Sequence, residues 1–327
     1  MRWIERCWQT RNLTAWLLLP LSWLFCGVAG LRRQAYATGL LPSRRLPVPV
    51  IVVGNITVGG VGKTPLVIWL VRFLRRQGFH PGVVSRGYGG QAGSWPCAVT
   101  AASDPREVGD EPVLIAAAAD CPVWVGPDRP QAASRMLEQN DCDIILSDDG
   151  LQHYALQRNM EILVIDGARR LGNGFCLPAG PLRERPGRMR QVDLAVVNGA
   201  ARTGELAMNL IPGELIALQH PEQRRPLDAF RGQRVHAVAG IGNPARFFDL
   251  LRQQGIEVVE HPFPDHHAFA EGDLAFDDQL PILMTAKDAV KCRRFARVGQ
   301  WYLEVELVPE PAFVERFSQR LKEMKNG

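Results

Sequence analysis

The 327-residue sequence has no Cys-x-x-Cys pair, no Asn-Lys-x-Asp guanine signature, no internal repeat and no low-complexity tract. Its seven cysteines are odd in number and dispersed, which argues against a disulfide framework or a zinc site and suits a reducing compartment. Acid is nearly absent from the first 50 residues. Glu5 stands alone against Arg2, Arg6, Arg11, Arg32, Arg33, Arg44 and Arg45, so the net charge of +4 is local to the N-terminus and the rest of the chain is slightly acidic. That basic stretch sits beside a greasy run rather than on a patterned groove, and gives no reason to invoke nucleic acid.

Charge of either sign is missing from Asn12 to Leu31, and Trp3, Trp8, Trp16 and Trp23 cluster around that run. A secretory leader ending near Ala35-Tyr36-Ala37, a membrane span and an ordinary buried helix are alternatives. Pro20 interrupts the run, and the preferred reading is a helix lying in the cytoplasmic leaflet, with Trp at headgroup depth and Arg facing anionic lipid.

The composition as a whole is ordinary for a globular protein, 46% hydrophobic and 22% charged, and the chain is long enough for about two domains. Short β-branched runs alternate with helical stretches: Val50–Val53, Pro81–Ser85, Cys121–Val125, Asp143–Ser147, Ile162–Ile165 and Leu194–Val197 read as strands, with a helix near 128–139. This pattern predicts a mostly parallel sheet covered on both faces. A second, smaller α/β unit begins near residue 232, with strands at Val235–Ala239, Glu257–Val259 and Ile282–Thr285 and a helix opening at Pro244. Alternating segments 213–218 and 301–307 flank it as a two-stranded connector, and a helix over roughly 309–324 ends the chain. The expected division is 1–45 for the apolar and basic N-terminus, 46–225 for the first α/β domain and 226–327 for the second.

The first βα turn reads GNITVGGVGKTP, residues 54–65. Strand, Gly-rich loop and helix in that order are what a nucleotide P-loop requires. Backbone N–H groups from Thr57, Val58, Gly59, Gly60, Val61 and Gly62 can turn toward phosphate, with the helix N-terminus behind them. Lys63 would reach the β- and γ-phosphates and Thr64 would offer its hydroxyl to Mg²⁺. The general pattern wants glycine where Thr57 stands; Gly59 and Gly60 supply the flexibility instead. Val58 occupies the position of the extra lysine found in partitioning ATPases. Asp148, at the end of the Ile144–Ser147 run, is the candidate for holding the magnesium water shell, with Asp149 beside it. Gln152 and His153 come next, polar residues that could face the site. Asp110 and Glu111, in Gly-Asp-Glu-Pro, could divide the work of proton acceptor and Mg²⁺ support, or simply start a helix. Asp265-His266-His267 could tune a carboxylate or be a polar loop. Arg183 opens an Arg-rich stretch suited to phosphate, or a solvated loop.

The set of motifs, in this order, resembles the tetraacyldisaccharide 4'-kinases of lipid A biosynthesis. The pieces are GNITVGGVGKTP, Ser85-Arg86-Gly87-Tyr88-Gly89, Gly109-Asp110-Glu111-Pro112, Ser147-Asp148-Asp149-Gly150-Leu151-Gln152-His153, Gly180-Pro181-Leu182-Arg183-Glu184 and Phe263-Pro264-Asp265-His266-His267. Ala286, where that family would carry Glu, is a departure. The resemblance implies transfer of the ATP γ-phosphate to a glucosamine disaccharide 1-phosphate at the cytoplasmic face of the bacterial inner membrane, by a peripheral or single-helix-anchored enzyme. It implies Asp110 as base paired with His266, Lys63 and Thr64 serving phosphates and Mg²⁺, and substrate contacts from Arg86, Tyr88, Gln152, His153 and Arg183. A membrane-associated P-loop switch ATPase without phosphotransfer to lipid is the alternative.

Overall fold

The computed structural model describes residues 7–326; Arg2, Trp3, Glu5 and Arg6 lie outside them. The apolar runs form strands β1 (Val50–Gly54), β2 (Pro81–Ser85), β4 (Val123–Val125), β5 (Ile144–Ser147), β6 (Met160–Asp166) and β7 (Leu194–Asn198), and β1, β5, β6, β2, β4 and β7 run parallel. All residues of β1, β2, β5 and β6 are buried, as expected for strands with helices on both faces. A short strand not foreseen from sequence, β3 (Cys97–Val99), closes one edge antiparallel to β4.

The second unit contains β10 (Arg234–Ala239), β11 (Glu257–Pro262) and β12 (Ile282–Thr285), also parallel. The expected connector is longer than its alternating pattern implied. Strands β8 (Leu206–Ala217) and β13 (Gln300–Pro309) pair antiparallel along their length, with an irregularity between Leu303 and Val305, and a two-residue strand β9 (Arg224–Arg225) adds to β8. Because β8 also pairs with β7 and β13 with β12, the units share one sheet, ordered β11-β10-β12-β13-β8-β7-β6-β1-β5-β2-β4-β3.

Helices α1 (Leu13–Leu17) and α2 (Leu19–Ala37) divide the uncharged N-terminal run at Leu18, and Pro20 falls in the first turn of α2. Among the described residues no helix is long and apolar enough to cross a membrane, so the spanning alternative has no helix to support it. The inner face of these helices is bound to the body. Trp8 donates its indole N–H to Pro178 O, Ser22 Oγ donates to Cys176 O, and Trp16 packs edge-on against Phe175. The Trp8 indole N–H is thereby engaged by the protein itself. Against the expectation drawn from the odd, dispersed cysteines, Cys26 and Cys176 form one disulfide across 150 residues, because the fold brings α2 onto the loop that carries Cys176; Cys7, Cys97, Cys121, Cys142 and Cys292 are free.

Helix α3 (Lys63–Arg76) buries Leu66, Leu70 and Leu74 at i, i+4 and i+8 on one stripe, each worth about 1.5–3 kcal/mol, and ends before Gly78, whose φ of +82° suits only glycine. A single turn, α4 (Pro105–Val108), leads through Gly109 into α5 (Asp110–Ala119). Helix α6 (Arg129–Gln139) packs on β2 and β4 of the first unit, and α7 (Pro244–Gln253) on β10 and β11 of the second. Helix α8 (Ala286–Cys292) follows β12, and the C-terminal helix α9 (Pro311–Asn326) comes back from the second unit to pack Phe313 and Phe317 against Trp69 and Phe73 of α3. By packing, α9 belongs to the core of the first unit.

Candidate active site

The phosphate loop leaves β1 between its two parallel neighbours, β5 and β6. Gly59 and Gly62 adopt φ of +92° and +95°, and a Cβ on Gly62 would lie 2.6 Å from Asn198 Nδ2. Three outside groups brace the loop. Val58 N donates to Pro181 O at 2.9 Å, Asn198 Nδ2 donates to Val61 O at 3.0 Å, and Arg169 donates to Gly60 O. Thr57, the residue in place of the usual glycine, is buried and bridges to Leu182. The tie from Val58 and Thr57 to Pro181 and Leu182 takes over conformational control that a glycine would otherwise share. Lys63 and Thr64 open α3. Lys63 Nζ lies 3.3 Å from Asn55 Oδ1 and 3.2 Å from Asp149 Oδ1.

Asp148 follows the last residue of β5, Ser147, in the turn that leaves the strand. Its carboxylate is fully enclosed, and neither oxygen has a hydrogen-bond partner. Burial, followed by the nearby Glu111 charge, raises its pKa. An orphaned carboxylate beside a phosphate loop fits a divalent cation or its water shell. Among the described residues no group of three His, Cys, Asp or Glu side chains is placed to hold a metal ion. Asp149 differs from Asp148. It sits at φ +46°, paired with Lys63 and with Arg183 at 3.1 Å; burial would raise its pKa, but those cations outweigh burial and bring it to about 2.

Asp110 and Glu111 do start a helix, α5, which begins at Asp110. Asp110 is buried, and both oxygens meet His266 Nδ1, at 3.2 and 3.1 Å. Burial pushes the Asp110 carboxyl up, but the His266 hydrogen bond and the charges of Lys287 and Lys291 outweigh it and hold it below its ordinary range. The Asp110 bond raises His266 in return, against burial and the Lys287 charge. His266 arrives on the loop after β11. The adjacent turn Gly240-Ile241-Gly242 approaches the phosphate loop: a Cβ on Gly242 would lie 3.8 Å from Gly60 N.

Other residues singled out in the sequence fall around this centre. The Tyr88 ring packs 5.3 Å from His266, and Arg86, Gly87, Tyr88 and Trp95 line a cavity of about 290 Å³. Gln152 is turned to the protein, donating to Asn55 O at 3.0 Å and Glu184 Oε1 at 2.7 Å. His153 is half-buried with Nε2 enclosed and unpartnered; its charged neighbours are Arg129, Arg158, Asp128 and Arg32. Glu111 pairs with Lys287 at 3.2 Å. Sequence reading did not single out Asn198, Arg169, Arg129, Lys287 or Lys291, and it quoted Glu184 only as part of a motif. Lys287 stands next to Ala286, but nothing local in the sequence indicated that it reaches Glu111, 176 residues away.

A P-loop on a parallel sheet, an enclosed and unpartnered aspartate just past the neighbouring strand, and a carboxylate–imidazole pair joining the two units are the arrangement of a nucleotide-dependent phosphotransferase. The sequence model of the tetraacyldisaccharide-1-P 4'-kinase family, LpxK, matches residues 14–322, and the chain belongs to that family. A tetraacyldisaccharide 4'-kinase of Nitrosococcus oceani is 53% identical over 306 residues, covering 93% of this chain and 90% of its own length. One of Methylobacillus flagellatus is 50% identical over 322 residues, covering 98% and 96%. The crystal structure of Aquifex aeolicus LpxK in complex with ATP matches with a TM-score of 0.80 and 28% identity, over 95% of this chain and 99% of that one.

Proposed function

We propose that the protein transfers the γ-phosphate of ATP to the 4'-hydroxyl of tetraacyldisaccharide 1-phosphate, the step that forms a bis-phosphorylated lipid A precursor. The observation that carries this reading is the Asp110–His266 pair set across the cleft from an ordered phosphate loop. A hydrolytic switch needs only an oriented water. A kinase needs a base for an alcohol and a site that excludes water.

In this mechanism the amides of Thr57 and of Gly59 to Gly62 and the Lys63 ammonium hold the β- and γ-phosphates, while the Val58 amide stays committed to Pro181 O. Thr64, Asp148, Glu111 and Asp149 form the acidic and hydroxyl surroundings for magnesium, which supplies charge neutralisation on the phosphate oxygens when bound. Asp110 accepts the proton of the 4'-hydroxyl as that oxygen attacks the γ-phosphorus; the bond to the β,γ-bridging oxygen breaks and ADP leaves. His266 stabilises the carboxylate and orients it. Arg183, Arg86, Tyr88 and His153 contribute to the walls that receive nucleotide and lipid, and Gln152 braces them from behind through Asn55 O and Glu184. Residues 46–225 and 226–327 act as two domains that close over the nucleotide, with β8 and β13 as the hinge and α9 packed back on the first.

The acylated acceptor resides in a bilayer, and the enzyme meets it at the cytoplasmic face of the inner membrane. Leu21, Leu24, Val28 and Leu31 form one exposed stripe on α2, continued by Leu13 and Leu17 on α1. Ser22 and Cys26 face the body instead. Such a surface lies in a membrane interface by its apolar face.

The test is transfer of label from γ-labelled ATP to detergent-dispersed disaccharide 1-phosphate, with a no-lipid control. Labelled lipid, lost in Lys63→Ala, is the expected result. Free phosphate with unlabelled lipid would instead establish a P-loop ATPase and remove the lipid acceptor.

A further inference from the structure

Lys287 sits in the first turn of α8, which is capped by Thr285. Its ammonium has three N–H groups and no acceptor. Three acceptors surround it: Glu111 Oε1 at 3.2 Å, His266 Nε2 at 3.4 Å and Asp265 Oδ1 at 3.5 Å, with Asp110 Oδ2 at 3.9 Å. Glu111 comes from the first unit and the other two from the second. An ammonium can donate to His266 Nε2 only if that nitrogen carries no proton. The opposite nitrogen, Nδ1, faces the Asp110 carboxylate, which can only accept. The polarity of both contacts selects one tautomer, with the proton on Nδ1.

We infer that Lys287 is a positioning residue for the phosphotransfer: it fixes the His266 ring as the Nδ1–H tautomer aimed at Asp110, and it ties the loop carrying that ring to the first unit through Glu111. The loop needs such a tie. His266 holds a φ of +60°, an uncommon conformation for a residue with a side chain, and its N–H is accepted by Asp265 Oδ1, the same oxygen that Lys287 reaches. The base of the lysine is itself fixed. Asp288 accepts from Gly240 N at 2.9 Å and Thr285 Oγ1 at 2.6 Å, and lies 2.7 Å from Lys291 Nζ. The exposed Tyr88 ring packs against His266, with centroids 5.3 Å apart.

The effect on turnover rests on the proposed kinase activity; the tautomer does not. Long-range ¹H–¹⁵N correlation of the histidine rings at pH 8.5, with His266 assigned by comparison with His266→Gln, reads the protonated nitrogen directly. The wild-type protein is expected to show Nδ1–H alone, and Lys287→Met a mixture with Nε2–H. Lipid phosphorylation by Lys287→Met is expected to lose about 10–100-fold in kcat, with the KM for ATP changed less than about threefold. Lys287→Arg should restore the tautomer and most of kcat. An Nε2–H ring in the wild type, or an unchanged ring spectrum in folded Lys287→Met, overturns the inference. If Lys287→Met does not fold, the wild-type spectrum decides alone. If wild-type enzyme labels no lipid, the kinase reading fails, while the ring spectrum still decides the role of Lys287.

Discussion

Asp110 and His266 are 156 residues apart in the chain and 3.1 Å apart in the fold, one at a helix start in the first unit and the other on a loop of the second. Neither unit alone holds the pair, so any chemistry that needs both requires the two units to be in contact.

Asp110→Asn keeps the size of the side chain and removes its capacity as a base. Turnover is expected to fall about 10²–10⁴-fold, the range for a positioned general base. The ATP dissociation constant, measured by calorimetry, is expected to stay within about threefold. Loss of ATP binding in a folded variant would move Asp110 from acceptor chemistry to metal or nucleotide binding.

Gly62→Ala tests the loop. The new Cβ would fall 2.6 Å from Asn198 Nδ2 and would demand a φ of +95° from alanine. A backbone strain of roughly 1–3 kcal/mol is expected, together with displacement of Asn198 from Val61 O. Calorimetric titration should find ATP affinity reduced at least tenfold, with the fold intact by circular dichroism. Wild-type affinity would mean the loop does not grip phosphate in this conformation.

The exposed stripe on α1 and α2 should hold the protein on lipid. Leu17→Ser, Leu24→Ser and Leu31→Ser together remove three exposed apolar side chains, each worth roughly 1.5–3 kcal/mol when buried in an apolar phase. Co-sedimentation with vesicles containing anionic lipid is expected to drop at least tenfold while thermal stability is retained. Undiminished sedimentation would place the membrane contact elsewhere.

His153 gives the fold a pH dependence. Burial, then the charges of Arg129 and Arg158, lower its pKa to about 4 from the ordinary 6.5. Between those values the unfolded chain binds a proton that the folded protein refuses, so stability is complete above pH 6.5 and declines as pH falls toward 4. Urea unfolding at several pH values should find that His153→Gln flattens this slope. Identical slopes in variant and wild type would show that His153 does not set it.

Much of the fold was legible because the apolar runs are short and β-branched and end at Gly, Pro or Asp, as β1 does between Pro49 and Gly54 and β5 between Asp143 and Asp148. The phosphate loop was legible because its residues are consecutive. Asp148 was legible as an acid at a strand end, but its difference from Asp149 was not: one is buried without a partner, the other is held by Lys63 and Arg183, and only packing distinguishes two adjacent aspartates. Gln152 looked free to face the site, yet Glu184 and Asn55 O claim its amide.

The sequence by itself determined what is local: strand and helix periods, the glycines that permit left-handed turns, the lysine and threonine at a helix start, and a greasy N-terminus almost without acid. Only the tertiary structure decided which distant groups share a hydrogen bond. Cys26 with Cys176, α9 with α3, and Lys287 with His266 and Glu111 depend on how one sheet carries both units. The physical reason is that periodicity reports which face of an element is apolar, whereas hydrogen bonds and ion pairs act over about 3–4 Å, a scale that only packing fixes.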